Sequence, residues 1–245
     1  MDAPAPPGEE NRPMPNLHVL SAGAAQSLIE SLQRQFEAGE SITMRASFHP
    51  VGATMEKLLA GEPCDVVVLT AVLLDELARG GDVQADSIAP LGRVHTAIAV
   101  RDGDAAPDVS TAAALRQALI AADAIYLPDV ERSTAGAHCA AMLRKMGILD
   151  QATPKLRASP NGVSAMRELA QSRAGRPIGC TQVTEIASTP GVSVVGPLPG
   201  EFGLATMYSV AVAARAQQLE SAARLVALLA GESTRELRRN CGFET

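Results

Sequence analysis

Aromatic side chains are scarce in this 245-residue chain, which has no tryptophan, two tyrosines and four phenylalanines. Stacking platforms for bases or sugars are therefore largely missing. The core has to be assembled from Ala, Val, Leu, Ile and Met within a hydrophobic fraction of 47%. Cations are also in deficit: 21 Lys and Arg face 27 Asp and Glu, a formal charge of −6. An acidic chain without a basic run is a poor electrostatic partner for nucleic acid, and none is expected. No apolar run approaches the roughly 18–20 residues of a membrane span, so no membrane insertion is expected either. The four cysteines, Cys64, Cys139, Cys180 and Cys241, form no C-x-x-C and none sits near a histidine at metal-site spacing. They read as isolated buried thiols, with no metal implied. There is no G-x-S-x-G, no Walker loop and no G-x-G-x-x-G after the first strand, and no cofactor is implied.

Residues 1–16, MDAPAPPGEENRPMPN, contain five prolines and no apolar segment. They read as a disordered leader, not a signal peptide. The expected location is cytoplasmic, or periplasmic for a chain whose signal has been trimmed.

What is present is a rhythm. Leu17–Leu20 reads as a buried strand that runs into the small-residue turn Ser21-Ala22-Gly23. Leu28, Ile29, Leu32 and Phe36 then recur at helical spacing. A strand over Ile42–Phe48 follows, then the turn His49-Pro50-Val51-Gly52 and a short helix to Ala60. A third strand covers Asp65–Leu69, and a further helix ends at Gly80-Gly81. Such βαβαβα order predicts a mostly parallel sheet covered on both faces, with ligands bound outside the carboxyl ends of its strands. Two long extended stretches, Leu91–Arg101 and Gly203–Ala213, bracket a second α/β run. The chain is thus expected to be a two-lobed α/β protein joined by two crossing strands. Lobe one would comprise residues 17–90 plus 200–245, and lobe two residues 91–199.

The helix starts are the chemical signal. Ser133-Thr134-Ala135-Gly136 and Asn161-Gly162-Val163 each open a helix, where free N–H groups and the positive helix end favour an anion. The turns Ser21–Ala25 and Gly52–Thr54 offer the same from the other lobe. Each is equally compatible with an ordinary helix cap. Arg93 and His95 alternate with apolar residues on a crossing strand, and Arg132 precedes the Ser133 turn. These are candidate carboxylate clamps, or else solvated surface. His49, His95 and His138 are candidate proton carriers.

Several stretches in order resemble the molybdate-binding family of periplasmic solute receptors, which have the type 2 periplasmic-binding-protein fold. They are VLSAGAAQSL, FHPVGATMEKLLAGEPCDVVV, STAGAHCAAMLRKMGILDQATPKL, NGVSAMRELA with PIGCTQVTEI, and the closing RRNCGFE. The resemblance implies the two-lobed fold and a small anion in the cleft. It places one family serine at Ala24, with Ser21 and Gly23 nearby, and the second at Val51, beside His49 and Gly52. Main-chain donors fall at Ala135, within Ser133–Gly136, and at Gly162, next to Asn161; the family tyrosine falls on Gln182. With both serines and the tyrosine replaced, a small di- or tricarboxylate is expected in place of molybdate. Three alternatives stay open beside simple binding or sensing. One is an isomerase of a small polycarboxylate, as in relatives of this family that act on aconitate. Another is a molybdate or tungstate receptor working with an ABC permease. The third is a regulatory module whose lobe closure is read by a partner.

Overall fold

The computed structural model describes residues 14–245, so residues 1–13 of the expected leader lie outside the described residues. The first strand, β1 (Asn16–Ala22), leads through a short 3-10 turn into α1 (Gln26–Glu40). Leu28, Ile29, Leu32 and Phe36 are the buried residues of α1, the face its spacing predicts. β2 (Thr43–His49), α2 (Val51–Leu59), β3 (Val66–Thr70) and α3 (Ala71–Gly80) follow. The long strand β4 (Ala89–Arg101) then crosses to α4 (Ala112–Ala121), β5 (Ala124–Pro128), α5 (Thr134–Lys145) and the short α6 (Leu149–Ala152). Next come β6 (Leu156–Ser159), α7 (Gly162–Ala170), β7 (Pro177–Gln182), α8 (Val183–Ala187) and β8 (Val192–Pro197). The second crossing strand, β9 (Ala205–Val212), returns the chain to α9 (Leu219–Ala230) and α10 (Arg235–Asn240).

The strand order is β2-β1-β3-β9-β4-β7-β5-β6, with β8 paired to β4. Pairing within each βα run is parallel, as the connecting helices require: β1 with β2 and β3, and β5 with β6 and β7. The crossing strands run antiparallel to their neighbours: β9 with β3 and β4, and β4 with β7 and β8. One half of β4 therefore belongs to the first sheet and the other half to the second. The hydrophobic core divides accordingly. Leu28, Ile29, Val66, Val68 and Leu225 belong to one large cluster. Ile98, Leu115, Leu127, Met142 and Leu143 belong to another.

Two local devices position the pieces. The buried Asp65 carboxylate accepts from the N–H groups of His18 at 2.7 Å, Gln217 at 2.6 Å and Gln218 at 2.9 Å, which pins the start of α9 to the first sheet. At Gly136 a Cβ would stand 2.2 Å from the Asp129 carbonyl oxygen, so only glycine lets α5 lie this close to the end of β5.

The cysteine expectation needs correction. Cys139 on α5 and Cys180 on β7 form a disulfide across 41 residues, while Cys64 and Cys241 are free and buried. The pairing joins positions that only the packing of α5 on the sheet brings together. Among the described residues no helix is long and apolar enough to cross a membrane.

Candidate functional site

The carboxyl ends of β1 and β2 face those of β5, β6 and β7 across a seam, and the two sides touch. The Gly52 N–H, in the first turn of α2, donates to the Arg132 carbonyl at 3.3 Å. The Arg132 guanidinium also pairs with Glu56 on α2. Beneath them, Ser21 is fully buried, and its carbonyl accepts from the Thr54 hydroxyl at 3.3 Å. Ala24 is buried in the same turn.

On the second-lobe side, α5 begins at Thr134 with Ser133 as its cap; the Ser133 hydroxyl accepts from the Gly136 N–H at 3.4 Å. Ala135 is buried at that helix start. The loop before it is held by Asp129, whose carboxylate accepts from the N–H groups of Glu131 at 2.8 Å and Arg132 at 2.9 Å. Those donations, Arg132 first, draw the Asp129 pKa below the ordinary carboxylate range. Asn161 caps α7 by accepting from the Ser164 N–H at 2.8 Å. Gln182 ends β7 with only 3% of its surface exposed, and neither end of its amide finds a protein partner. Thr96, opposite it on β4, is also buried with an unpartnered hydroxyl. Buried polar groups of this kind normally have partners, and these have none among the described residues.

Sequence reasoning missed the residue at the centre. Glu185, in the first turn of α8, is buried, and its carboxylate accepts from the Thr181 hydroxyl. Its two oxygens face opposite lobes. A Cβ on Gly23 would stand 2.8 Å from Oε1, and one on Gly162 would stand 1.9 Å from Oε2. The missing side chains at Gly23 and Gly162 are thus what admit the carboxyl group. Burial pushes its pKa up, against the Thr181 hydroxyl and the main-chain donors of Gln182 and Gly162. The contact with Gln182, three residues back at the N-cap, is the arrangement of a capping box. Tyr208 on β9 is also buried, and burial together with the nearby Glu185 raises its pKa as well. A signal was present in the sequence: Glu185 is the one charged residue in the run Pro177–Ile186.

Of the other charged candidates, His49 stands at the seam end of β2, while Arg93, His95 and His138 are engaged at other contacts. His49 closes β2, half-buried, with its pKa lowered first by burial and then by Lys57. His95 pairs with Glu244 at 3.1 Å near the surface, and Arg93 exchanges both main-chain hydrogen bonds with Glu244. His138 contacts the Phe202 carbonyl at 2.7 Å. None of the three imidazoles has a described contact with Gly23, Gly162 or Gln182. Among the described residues no group of His, Cys, Asp and Glu is placed to hold a metal.

Two parallel strand runs joined through two crossing antiparallel strands are the architecture of the periplasmic-binding type. The match to the family of bacterial extracellular solute-binding proteins extends over residues 17–244, and the chain belongs to that family. The sequence is 28% identical to the aconitate isomerase of a Pseudomonas species, over 95% of this chain and 89% of that one. The periplasmic molybdate-binding protein of Azotobacter vinelandii superposes with a TM-score of 0.74 at 14% identity, covering 94% of this chain and 99% of that one. The sulfate-binding protein of Mycobacterium tuberculosis superposes with a TM-score of 0.71 at 16% identity, covering 94% and 86%. The fold is thus that of the molybdate-binding group.

Proposed function

We propose that the chain binds a small di- or tricarboxylate in the seam between its lobes. The unpartnered amide of Gln182 carries this reading. An amide offers two N–H donors and one carbonyl acceptor. A compact, fully ionised oxyanion such as molybdate uses only the donors and leaves the buried carbonyl orphaned, which is costly. A polycarboxylate with one protonated acid group or a hydroxyl engages both ends. The helix starts at Thr134 and Val51, together with Arg132 at the rim, supply donors for its other oxygens.

A second reading, that the bound polycarboxylate is isomerised, is favoured by the relative named above, an aconitate isomerase. The Cys139–Cys180 disulfide fits an oxidising compartment. It favours a location outside the cytoplasm. Family membership is compatible with a membrane permease as partner.

Thermal unfolding against citrate, cis- and trans-aconitate, molybdate, tungstate, sulfate and phosphate tests the binding reading. A ligand that binds only the folded state, present at about 100 times its dissociation constant, adds about 2.7 kcal/mol. The polycarboxylates should raise the melting temperature and the tetrahedral oxyanions should not. A rise with molybdate or tungstate alone would overturn the reading.

A further inference from the structure

We propose that Glu185 is the catalytic base and acid of this site, moving a proton between two carbons of an unsaturated polycarboxylate. The inference rests on the isomerase reading and names the group that would perform it. Such a reaction needs a proton carrier where the substrate sits. Of the candidate histidines, His95 is paired with Glu244 and His138 with the Phe202 carbonyl, while His49, at the carboxyl end of β2, has its charged form disfavoured by burial and by Lys57. Glu185 stands between the first-lobe turn at Gly23 and the second-lobe helix start at Gly162. No salt bridge to it occurs among the described residues, and no cation opposes its burial. The Tyr208 phenol on β9 is its titratable neighbour; Gly23, Gly162, Thr181 and the main chain of Gln182 also lie against it. A carboxyl group kept from water and without a counter-ion exchanges its proton nearer neutral pH than an exposed one, which suits it to both halves of a transfer.

The step balances without a co-reactant. The Glu185 carboxylate takes a proton from the CH2 that lies between a carboxylate and the C=C bond. The C–H electron pair forms a new C=C bond as the old one shifts its pair to its far carbon. The Glu185 carboxylic acid then returns the proton to that far carbon, leaving an isomer and the original carboxylate. The charge that develops meanwhile on the substrate carboxylates is of the kind that free helix-start N–H groups stabilise.

The test is interconversion of cis- and trans-aconitate, followed by NMR in deuterated water, alongside substrate affinity from calorimetry. The wild-type protein should interconvert the two. Glu185→Gln, which keeps the shape, should lose at least about 100-fold in kcat while holding substrate affinity within a few-fold. If Glu185→Gln fails to fold, Glu185→Asp, which keeps the charge and withdraws the carboxyl by one carbon, should fold, bind and lose rate similarly. Full turnover by either folded variant would overturn the role of Glu185 while leaving the isomerase reading intact. A wild-type protein that binds aconitate without interconverting it would overturn both and leave binding standing.

Discussion

The two sides of the seam are built differently. On the first-lobe side, the helix starts at Gly23, Gln26 and Val51 have no side-chain cap. On the second-lobe side, α5 and α7 are capped by Ser133 and Asn161. A capped start has already used part of its donor set, whereas an uncapped one keeps it for whatever crosses the seam. The Gly52 N–H, spent on the Arg132 carbonyl of the opposite lobe, is an instance. The second lobe is also stapled internally by Cys139–Cys180, while the cysteines packed with the first-lobe core, Cys64 and Cys241, are free. α8, which starts after Gln182 on the second-lobe side, also lacks a side-chain cap, so the contrast sets α5 and α7 against the first-lobe starts.

The sharpest way to break this contrast is to add one carbon on each side. Gly162→Ala drives a methyl group to 1.9 Å from the Glu185 carboxylate and 2.4 Å from the Thr181 hydroxyl. It should cost about 3 kcal/mol in urea unfolding. Gly23→Ala meets only the far end of Glu185, at 2.8 Å, and should cost about 1 kcal/mol. Equal losses would mean that the two sides are equally rigid.

Next comes the pH dependence of stability. Glu185 has a raised pKa in the folded protein, so the folded state holds its proton more tightly than the unfolded state does. Its contribution is therefore present at low pH and is lost as pH rises from the ordinary glutamate value through the raised one. Asp129, with its lowered pKa, acts in the opposite sense and loses its contribution as pH falls. Subtracting the profile of Glu185→Gln from that of the wild type, between about pH 4 and about pH 8, should isolate a decline with rising pH. A flat difference would show that Glu185 is not held uncharged.

The smallest effects concern the caps themselves. Asn161→Ala should cost about 1 kcal/mol, because a bond of 2.8 Å to Ser164 is lost. Ser133→Ala, with its longer bond of 3.4 Å, should cost about 0.5 kcal/mol. A reversed order in denaturant unfolding would mean that α5, not α7, depends on its cap.

Legibility followed the strength of the local pattern. α1 was readable because its four large apolar residues share one face, and β3 because VVVL has no other stable use. β6 was missed because it is short and exposes Arg157 and Ala158, and β8 because Ser193 and Val194 in its middle are exposed and break the apolar pattern. α8 is only five residues long and has too few turns to show a period. At the site, the helix starts at Ser133 and Asn161 were legible from cap chemistry, and the glycines from the resemblance. The histidines were candidates by residue type alone, and the partners that engage two of them come from remote segments: Glu244 for His95 and Phe202 for His138.

The sequence by itself determined the αβ order, the apolar faces, the caps and the crossing strands, because each depends on residues within one or two turns of one another. Only the tertiary structure decided the antiparallel return of β9, the joining of Cys139 to Cys180, and the burial of Glu185 between Gly23 and Gly162. Those depend on contacts between segments far apart in the chain, where the absence of a Cβ or the loss of water around a carboxyl group leaves no periodic mark in the sequence.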